Sequence, residues 1–393
     1  MEIRLSDRIA KGAAYAFDEV DRQVAALRAS GVQVIDFGVG DPKSPTPRFV
    51  VDALVQGAER ERTSGYPSYI GARWYREACA NYLQREYSVT VNPETEVVAT
   101  IGAKEAVFHF PLAILNPGDV VICPSPGYPP YKTGTRFAGG QPYFVPLLPQ
   151  NNFLIDFAKI PQEVCRQARI IWTNYPNSPS GAIAPRSWLE ELAHWARQHN
   201  IIIAADEGCY CDLWFTEKPI SILEIARDGV IAFYSLSKRS NMTGYRAGFC
   251  AGDARLIAAL RAVKTNIDSG TPTFIQHAAV AALADQAHVE ALRAEYARKR
   301  QIILPALAAA GLPPCAGAAT FYLWQRAPDG MTGLELARKF LEVGIVVTPG
   351  AMISDVVADG SNPGVPYVRF ALVPDVGEVE EAARRMGVKE FVR

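Results

Sequence analysis

The chain has 393 residues, 49% hydrophobic and 21% charged, enough to bury a substantial core and long for one domain. Forty basic against 41 acidic residues leave a formal net charge of -1, which excludes an overall electrostatic pull towards nucleic acid or anionic membrane. No apolar run approaches the roughly 20 residues of a membrane span, and the first eight residues lack the apolar core of a signal peptide. Seven scattered cysteines suit free thiols, so a reducing cytoplasm is the expected setting. Cys209 and Cys211 flank Tyr210 like half a metal site, but no second half accompanies them, and no metal is expected.

Ala14, Phe17, Val20, Val24 and Leu27 recur at helical spacing, which predicts a helix over residues 14 to 30. Val34 to Phe37 read as a strand that breaks at the turn Gly38-Val39-Gly40-Asp41-Pro42. From about 95 to 250, apolar strands alternate with helices. Val97 to Thr100 leads through Gly102 into a helix over 104 to 115, and Asp119 to Cys123 leads to Pro124-Ser125-Pro126-Gly127-Tyr128. Arg169 to Thr173 stops at Asn174, a helix over 186 to 199 follows, and Ile201 to Ala205 stops at Asp206. Ile231 to Tyr234 then runs up to Lys238. Continuous apolar strands separated by helices predict a mostly parallel sheet covered on both faces. A helix near 290 to 309 leads into a second unit with strands at 321 to 324, 345 to 347 and 367 to 370, less regular and α+β in character. The expected division is a large unit over 35–285, and a smaller one from 1–34 and 286–393.

The most informative segment is Ser235-Leu236-Ser237-Lys238, with Arg246 eight residues beyond the lysine. A lysine held rigidly at a strand end, flanked by hydroxyls and an arginine, suits an amine that forms a Schiff base beside a phosphate dianion. Pyridoxal phosphate combines an aldehyde with a phosphate. Ligands of open parallel sheets lie beyond the carboxyl ends of the strands, where Gly102, Ser178, Asp206 and Lys238 all fall. Gly102-Ala103-Lys104 opens a helix whose unpaired N–H groups can bind phosphate, with Ser235, Ser237 and Arg246 completing the cup. Asp206 ends a wholly apolar strand, where a carboxylate needs a partner; a pyridinium nitrogen would supply one. Tyr128 could stack on the ring, and Arg369 could clamp a substrate carboxylate with two parallel hydrogen bonds.

With these residues in place, the chain resembles the pyridoxal phosphate-dependent class I/II aminotransferases of fold type I over nearly its whole length. The likeness rests on ordered landmarks: Gly38 to Pro42, Tyr66 ahead of Gly71, Gly102 to Ala106, Pro117-Gly118-Asp119 and Pro126 to Pro129. Asn174 to Gly181, Asp206-Glu207, Lys238 with Arg246, and Tyr367 to Phe370 follow. The resemblance implies an α/β fold with a mostly parallel seven-stranded sheet and a smaller α+β domain. It also implies that Lys238 carries the coenzyme as an imine, Asp206 pairs the pyridine nitrogen and Arg369 binds the substrate carboxylate, with Gly38, Tyr15 and Asn177 also on the substrate side. Tyr66 would reach the phosphate of a neighbouring subunit, giving a homodimer with shared sites.

Two departures stand out. Ser178 occupies the place where the family writes the asparagine that bonds the ring oxygen O3′; Ser178 could donate from a shorter arm, or Asn177 could shift in. Gly208 reads as an insertion that puts Tyr210 four residues after Asp206 instead of three, so Tyr210 would reach O3′ through a bulge. Within the family, Tyr15 to Val20, the Gly38 to Pro47 run and Ser235 to Gly244 resemble diaminopimelate-type enzymes, the LL- and N-succinyl-diaminopimelate aminotransferases of lysine biosynthesis. Lys43 stands where that branch tends to have an acidic residue. The expected activity is amino transfer from an amino acid to a 2-oxo acid, 2-oxoglutarate being the common acceptor. The alternatives are an aspartate, aromatic or broad-specificity aminotransferase, a C–S lyase or decarboxylase on the same scaffold, or a non-catalytic coenzyme-binding regulator.

Overall fold

The computed structural model describes residues 1, 3–10, 22, 24, 25, 29, 31, 33–208, 210–315 and 317–387. Most of the helix expected over 14 to 30, with Tyr15, lies outside the described residues, as does Cys209. The strands, in chain order, are β1 (Ile35–Asp36), β2 (Val97–Thr100), β3 (Val120–Ser125), β4 (Gln141–Pro146), β5 (Ala168–Thr173) and β6 (Ile202–Gly208). Then come β7 (Val230–Ser235), β8 (Gly248–Gly252), β9 (Tyr322–Arg326), β10 (Ile345–Val346), β11 (Thr348–Pro349) and β12 (Tyr367–Ala371). Seven of them form one sheet in the order β2-β8-β7-β6-β5-β3-β4. Strand β8 runs antiparallel to both neighbours, and the other pairings are parallel.

Alternation along each strand builds two cores, one on each face of the sheet. Ile171, Ile203, Val230 and Ala232 pack on one side. Ile170, Trp172, Ala204, Ile231 and Phe233 pack on the other. Because both faces are dry, these strands are apolar throughout, and polar side chains gather at their ends. Asp206 follows Ala204 by two residues and so belongs to the face of Trp172 and Phe233.

The C-terminal unit has its own core, which includes Leu292, Tyr296, Phe340 and Phe370. Its antiparallel sheet runs β11-β12-β9, and Arg369 lies opposite Trp324 in the register. The division expected at residue 35 assigns β1 to the larger unit. Instead β1 pairs in parallel with β10, and Ile35 and Phe37 pack into the C-terminal core. Main-chain pairing and burial therefore carry the chain into the larger unit only after Phe37.

Beneath the segment bearing Lys238 lies a buried ion pair. Arg239 Nε donates to Asp212 Oδ2 at 2.8 Å, and the Tyr82 hydroxyl donates to the same oxygen at 3.0 Å. Arg239 also donates to the Ala282 carbonyl and to Gln286 Oε1. Burial opposes the charge on Asp212, but Arg239 beside it holds the carboxyl below its usual range. Next door, Ser240 Oγ lies 2.8 Å from His288 Nε2, and His288 Nδ1 lies 2.6 Å from Asp285 Oδ1. Ser240 is sealed from solvent, so this chain of hydrogen bonds braces the backbone after Lys238. Asp212→Ala leaves Arg239 buried without its counter-charge and is expected to cost about 3–5 kcal/mol of stability. Urea denaturation checks this, and a loss below about 1 kcal/mol would show that water reaches the pair.

Candidate functional site

The carboxyl ends of β5, β6 and β7 open on a cavity of about 270 Å³. Asn174 and Ser178 line it from the end of β5, Asp206 and Tyr210 from β6, and Lys238 from the short helix Leu236–Arg239 that follows β7. Tyr128 and Tyr131, one helical turn apart, form another wall, and Gly40, Tyr322, Ile353 and Arg369 close it from the second unit and its approach. That second wall is tied down. Gly127 N–H donates to the Ile353 carbonyl, Ser125 Oγ donates to the Asp355 carbonyl and accepts from its N–H, and Lys132 lies 2.5 Å from Asp355 Oδ1.

Asp206 is buried. Its Oδ2 accepts from the Tyr131 hydroxyl at 2.8 Å, while Oδ1 has no hydrogen-bond partner. Burial pushes its carboxyl up to about 6, against the pull of the Tyr131 bond. Tyr131 in turn stacks on Trp172, with ring centroids 4.7 Å apart and planes 13° from parallel. A buried carboxylate oxygen without a donor, at a cavity wall, is a place for a cationic N–H. Neighbouring Glu207 faces the other way and accepts from Ser221 Oγ, Ile222 N–H and the Tyr234 hydroxyl, a satisfied structural carboxyl.

The expected bulge is present. Pairing of β6 with β7 shifts register between Asp206 and Gly208, and a Cβ on Gly208 would stand 2.1 Å from Tyr234 Cα. This bend brings Tyr210 to the cavity, where its hydroxyl donates to that of Tyr322 at 3.4 Å. Lys238 Nζ donates to the Gly40 carbonyl at 2.6 Å and lies 5.9 Å from the Phe321 ring centroid.

Gly102, Ala103, Lys104, Ser235, Ser237 and Arg246 are not among the residues that line the cavity, and Gly102 takes φ +71° ahead of the helix Ala103–Ile114. A Cβ there would meet Arg246 Nη2 at 2.3 Å, so only glycine lets the guanidinium lie against the helix start. Arg246 itself adopts φ 55° and is held by the Thr243 carbonyl. Ser235 Oγ accepts from Ser237 N–H and caps the helix carrying Lys238. Lys104 is exposed in the first turn of its helix. These groups form a cradle of N–H donors, hydroxyls and one guanidinium suited to a phosphate.

Arg369 Nη2 donates to the Gly38 carbonyl at 2.9 Å and to Thr348 Oγ1 at 3.4 Å, and its buried Nε has no acceptor. Gly38 thus reaches the site through its main chain. Asn177 does not line the cavity. Its Oδ1 accepts from Ser180 N–H and Oγ, and its Nδ2 donates to the Asn174 carbonyl, so its amide is committed to the turn. Asn174 lies at the wall in its stead, bonded to the Asp206 carbonyl and Ser178 N–H. Tyr66 is 86% exposed and lines no part of the cavity.

Sequence reasoning passed over Tyr131, Asn174 and Tyr322. Tyr131 was detectable as the residue one helical turn after Tyr128, and Asn174 as a polar strand end like Asp206. Tyr322 gives no local sign, because register across β9 and β12 places it.

Comparison with known proteins gives the chain a family and relatives. Residues 32–385 match the family described as aminotransferase class I and II. The chain is 42% identical to the LL-diaminopimelate aminotransferase of Aquifex aeolicus over 386 residues, covering 97% of this chain and 98% of that protein. Its fold matches the substrate-bound BacF structure from Bacillus subtilis with a TM-score of 0.92 at 32% identity, covering all of both chains. It also matches a probable N-succinyldiaminopimelate aminotransferase from Thermus thermophilus, with TM-score 0.86 and 30% identity over 95% of this chain and 99% of that one.

The Asp206 environment has a thermodynamic signature. A carboxyl raised from 3.8 to about 6 keeps its full contribution to stability below its unfolded-state value and loses it as pH rises through about 6. In coenzyme-free protein, Asp206→Asn is therefore expected to gain on the unmodified chain by about 2 kcal/mol between pH 4 and pH 8. Urea midpoints of the two proteins across that range check it; a pH-independent difference would place Asp206 in contact with water.

Proposed function

The chain belongs to the class I and II aminotransferases, and on that footing we propose that it exchanges an amino group between LL-diaminopimelate and a 2-oxo acid, 2-oxoglutarate foremost, in lysine biosynthesis. The enzyme depends on pyridoxal phosphate, and the residues fit that group. The observation that carries the fit is the buried Asp206 Oδ1 without a donor, on the same cavity as the Lys238 amine. Substrate identity is supported by the 42% identity to the Aquifex aeolicus enzyme over nearly the full length of both chains.

When bound, the coenzyme supplies an aldehyde to which amino groups attach and a ring that accepts the electron pair left at the substrate Cα. Lys238 would hold it covalently. Gly102, Ala103, Lys104, Ser235, Ser237 and Arg246 would hold its phosphate, Asp206 its ring nitrogen, and Tyr128 its ring face. Tyr210 and Ser178 stand at the wall suited to its ring oxygen. Arg369 would bind the substrate carboxylate, and the Lys238 amine, once free, would take the proton from the substrate Cα as base and later give a proton back as acid. Asp206 would be kept charged by a cationic N–H partner there and would hold that proton on the ring nitrogen. Gly40, whose carbonyl accepts from Lys238 Nζ, gives the amine a resting position.

A panel of amino donors with 2-oxoglutarate tests the assignment. LL-diaminopimelate is expected to outpace its N-succinyl derivative, aspartate and aromatic amino acids, and a faster N-succinyl reaction would move the chain to that activity. Lys238→Ala is expected to abolish turnover. Arg369→Lys keeps the charge but loses two-point geometry, and is expected to raise the substrate KM by an amount on the order of 2–4 kcal/mol.

We further propose a cytoplasmic homodimer with shared sites. Its support is an apolar surface on which Tyr66, Tyr69, Ile267 and Phe274 are exposed, with Gly270 packed against Ser68 and Tyr69. No described helix is long and apolar enough to cross a membrane. Lys238→Ala and Tyr66→Ala chains, each impaired alone, are expected to regain activity when refolded together, since a hybrid would hold one intact site. Absence of any recovery in a verified hybrid would remove Tyr66 from the partner's site.

A further inference from the structure

Arg369 is caged on two sides. One edge of its guanidinium is bonded to the Gly38 carbonyl and Thr348 Oγ1, and Thr348 Oγ1 itself donates to Gly38 O at 2.9 Å. Its face rests on the Tyr322 ring, 4.6 Å from the centroid. Register explains the contact: Arg369 pairs with Trp324 and Tyr322 with Ala371, so Arg369 and Tyr322 are diagonal neighbours on one face of the β9–β12 ladder. The ring is fixed in turn. Tyr322 is buried, its hydroxyl accepts from that of Tyr210, and the same oxygen lies against Gly40, where a Cβ would stand 1.9 Å from it. Gly40 is the residue whose carbonyl accepts from Lys238.

From this geometry we propose that Tyr322 is a positioning residue for substrate recognition, a platform that holds the Arg369 guanidinium in the plane needed to grip a carboxylate. An arginine with a long flexible stem must otherwise be ordered by the substrate itself, at an entropic cost that weakens binding. The ring removes that cost in advance and adds attraction between cation and π face, stronger where water is excluded. The hydroxyl acts one step further back, by fixing the ring against Tyr210 and the glycine turn. The role spans both units, since Tyr210 follows the sheet of the larger one and Arg369 lies in the smaller. It rests on the assignment of Arg369 to the substrate carboxylate.

The test uses the holoenzyme and a probe that binds without turnover: succinate, followed by the change in coenzyme absorbance. Tyr322→Leu is expected to weaken succinate binding and raise KM for the amino donor roughly tenfold, with kcat changed by less than threefold. Tyr322→Phe, which keeps the ring, is expected to lose no more than about threefold in both. In an Arg369→Lys background, Tyr322→Leu is expected to add little, because the group it positions is gone. Equal losses from Tyr322→Leu with and without Arg369, or a fall in kcat with unchanged succinate affinity, would overturn the proposal. Should Tyr322→Leu fail to fold, loss of succinate affinity in Tyr322→Phe as large as that in Arg369→Lys would overturn it as well, since the ring would then contribute nothing. Succinate affinity untouched by Arg369→Lys alone would instead sink the carboxylate assignment on which the proposal rests.

Discussion

A parallel sheet buried on both faces has no room for a charged side chain except where its strands stop. That constraint orders everything else in this protein. Ile170, Ile171, Trp172, Ile203 and Phe233 make the sheet dry, and the amide of Asn174 and the carboxyl of Asp206 fall together at one edge, where β5 and β6 end. The cavity is there because the strand ends are there. The raised proton affinity of Asp206 follows from the same dryness, and so does its fitness to hold a cationic partner that water would otherwise compete for.

The second unit supplies what the sheet cannot. A sheet edge offers donors and acceptors in a fixed plane, but a substrate carboxylate needs a cation approaching from above it. In the proposed function, strand β12 delivers Arg369 there, and β9 supplies the surface on which it lies. Both units therefore share one cavity while keeping separate cores, and the segment from Gly38 to Gly40 touches the chemistry of each, with one carbonyl on Arg369 and another on Lys238.

Much of this was legible in the sequence because the dry strands are written as unbroken apolar runs that end in a polar or glycine residue at the cavity side. Gly102, Asp206 and Lys238 were found that way, and helix 186–199 came out with the observed bounds, Arg186–His199, because Trp188, Leu189 and Leu192 repeat at helical spacing. Strand β4 was not legible, being an edge strand with two prolines, and β8, bracketed by glycines, was not either. Helix Thr273–Ala284 is apolar nearly all round and carries no stripe to read. The placement of β1 with the C-terminal unit, the retirement of Asn177 into its turn and the meeting of Tyr322 with Arg369 all depend on pairings between distant segments. Local pattern holds no record of those. Family likeness supplied the roles proposed for Arg369 and Tyr66, which taken alone look like surface residues.

The bend at Gly208 has a bearing on how this chain can change over generations. An extra residue there is accommodated only because it lacks a side chain, with the backbone of Tyr234 pressed against it. Any replacement must push apart two neighbouring strands at the heart of the protein. Drift by substitution is therefore closed at that position, and a lineage that carries glycine there is held to it as by a ratchet, and adjusts its surroundings instead.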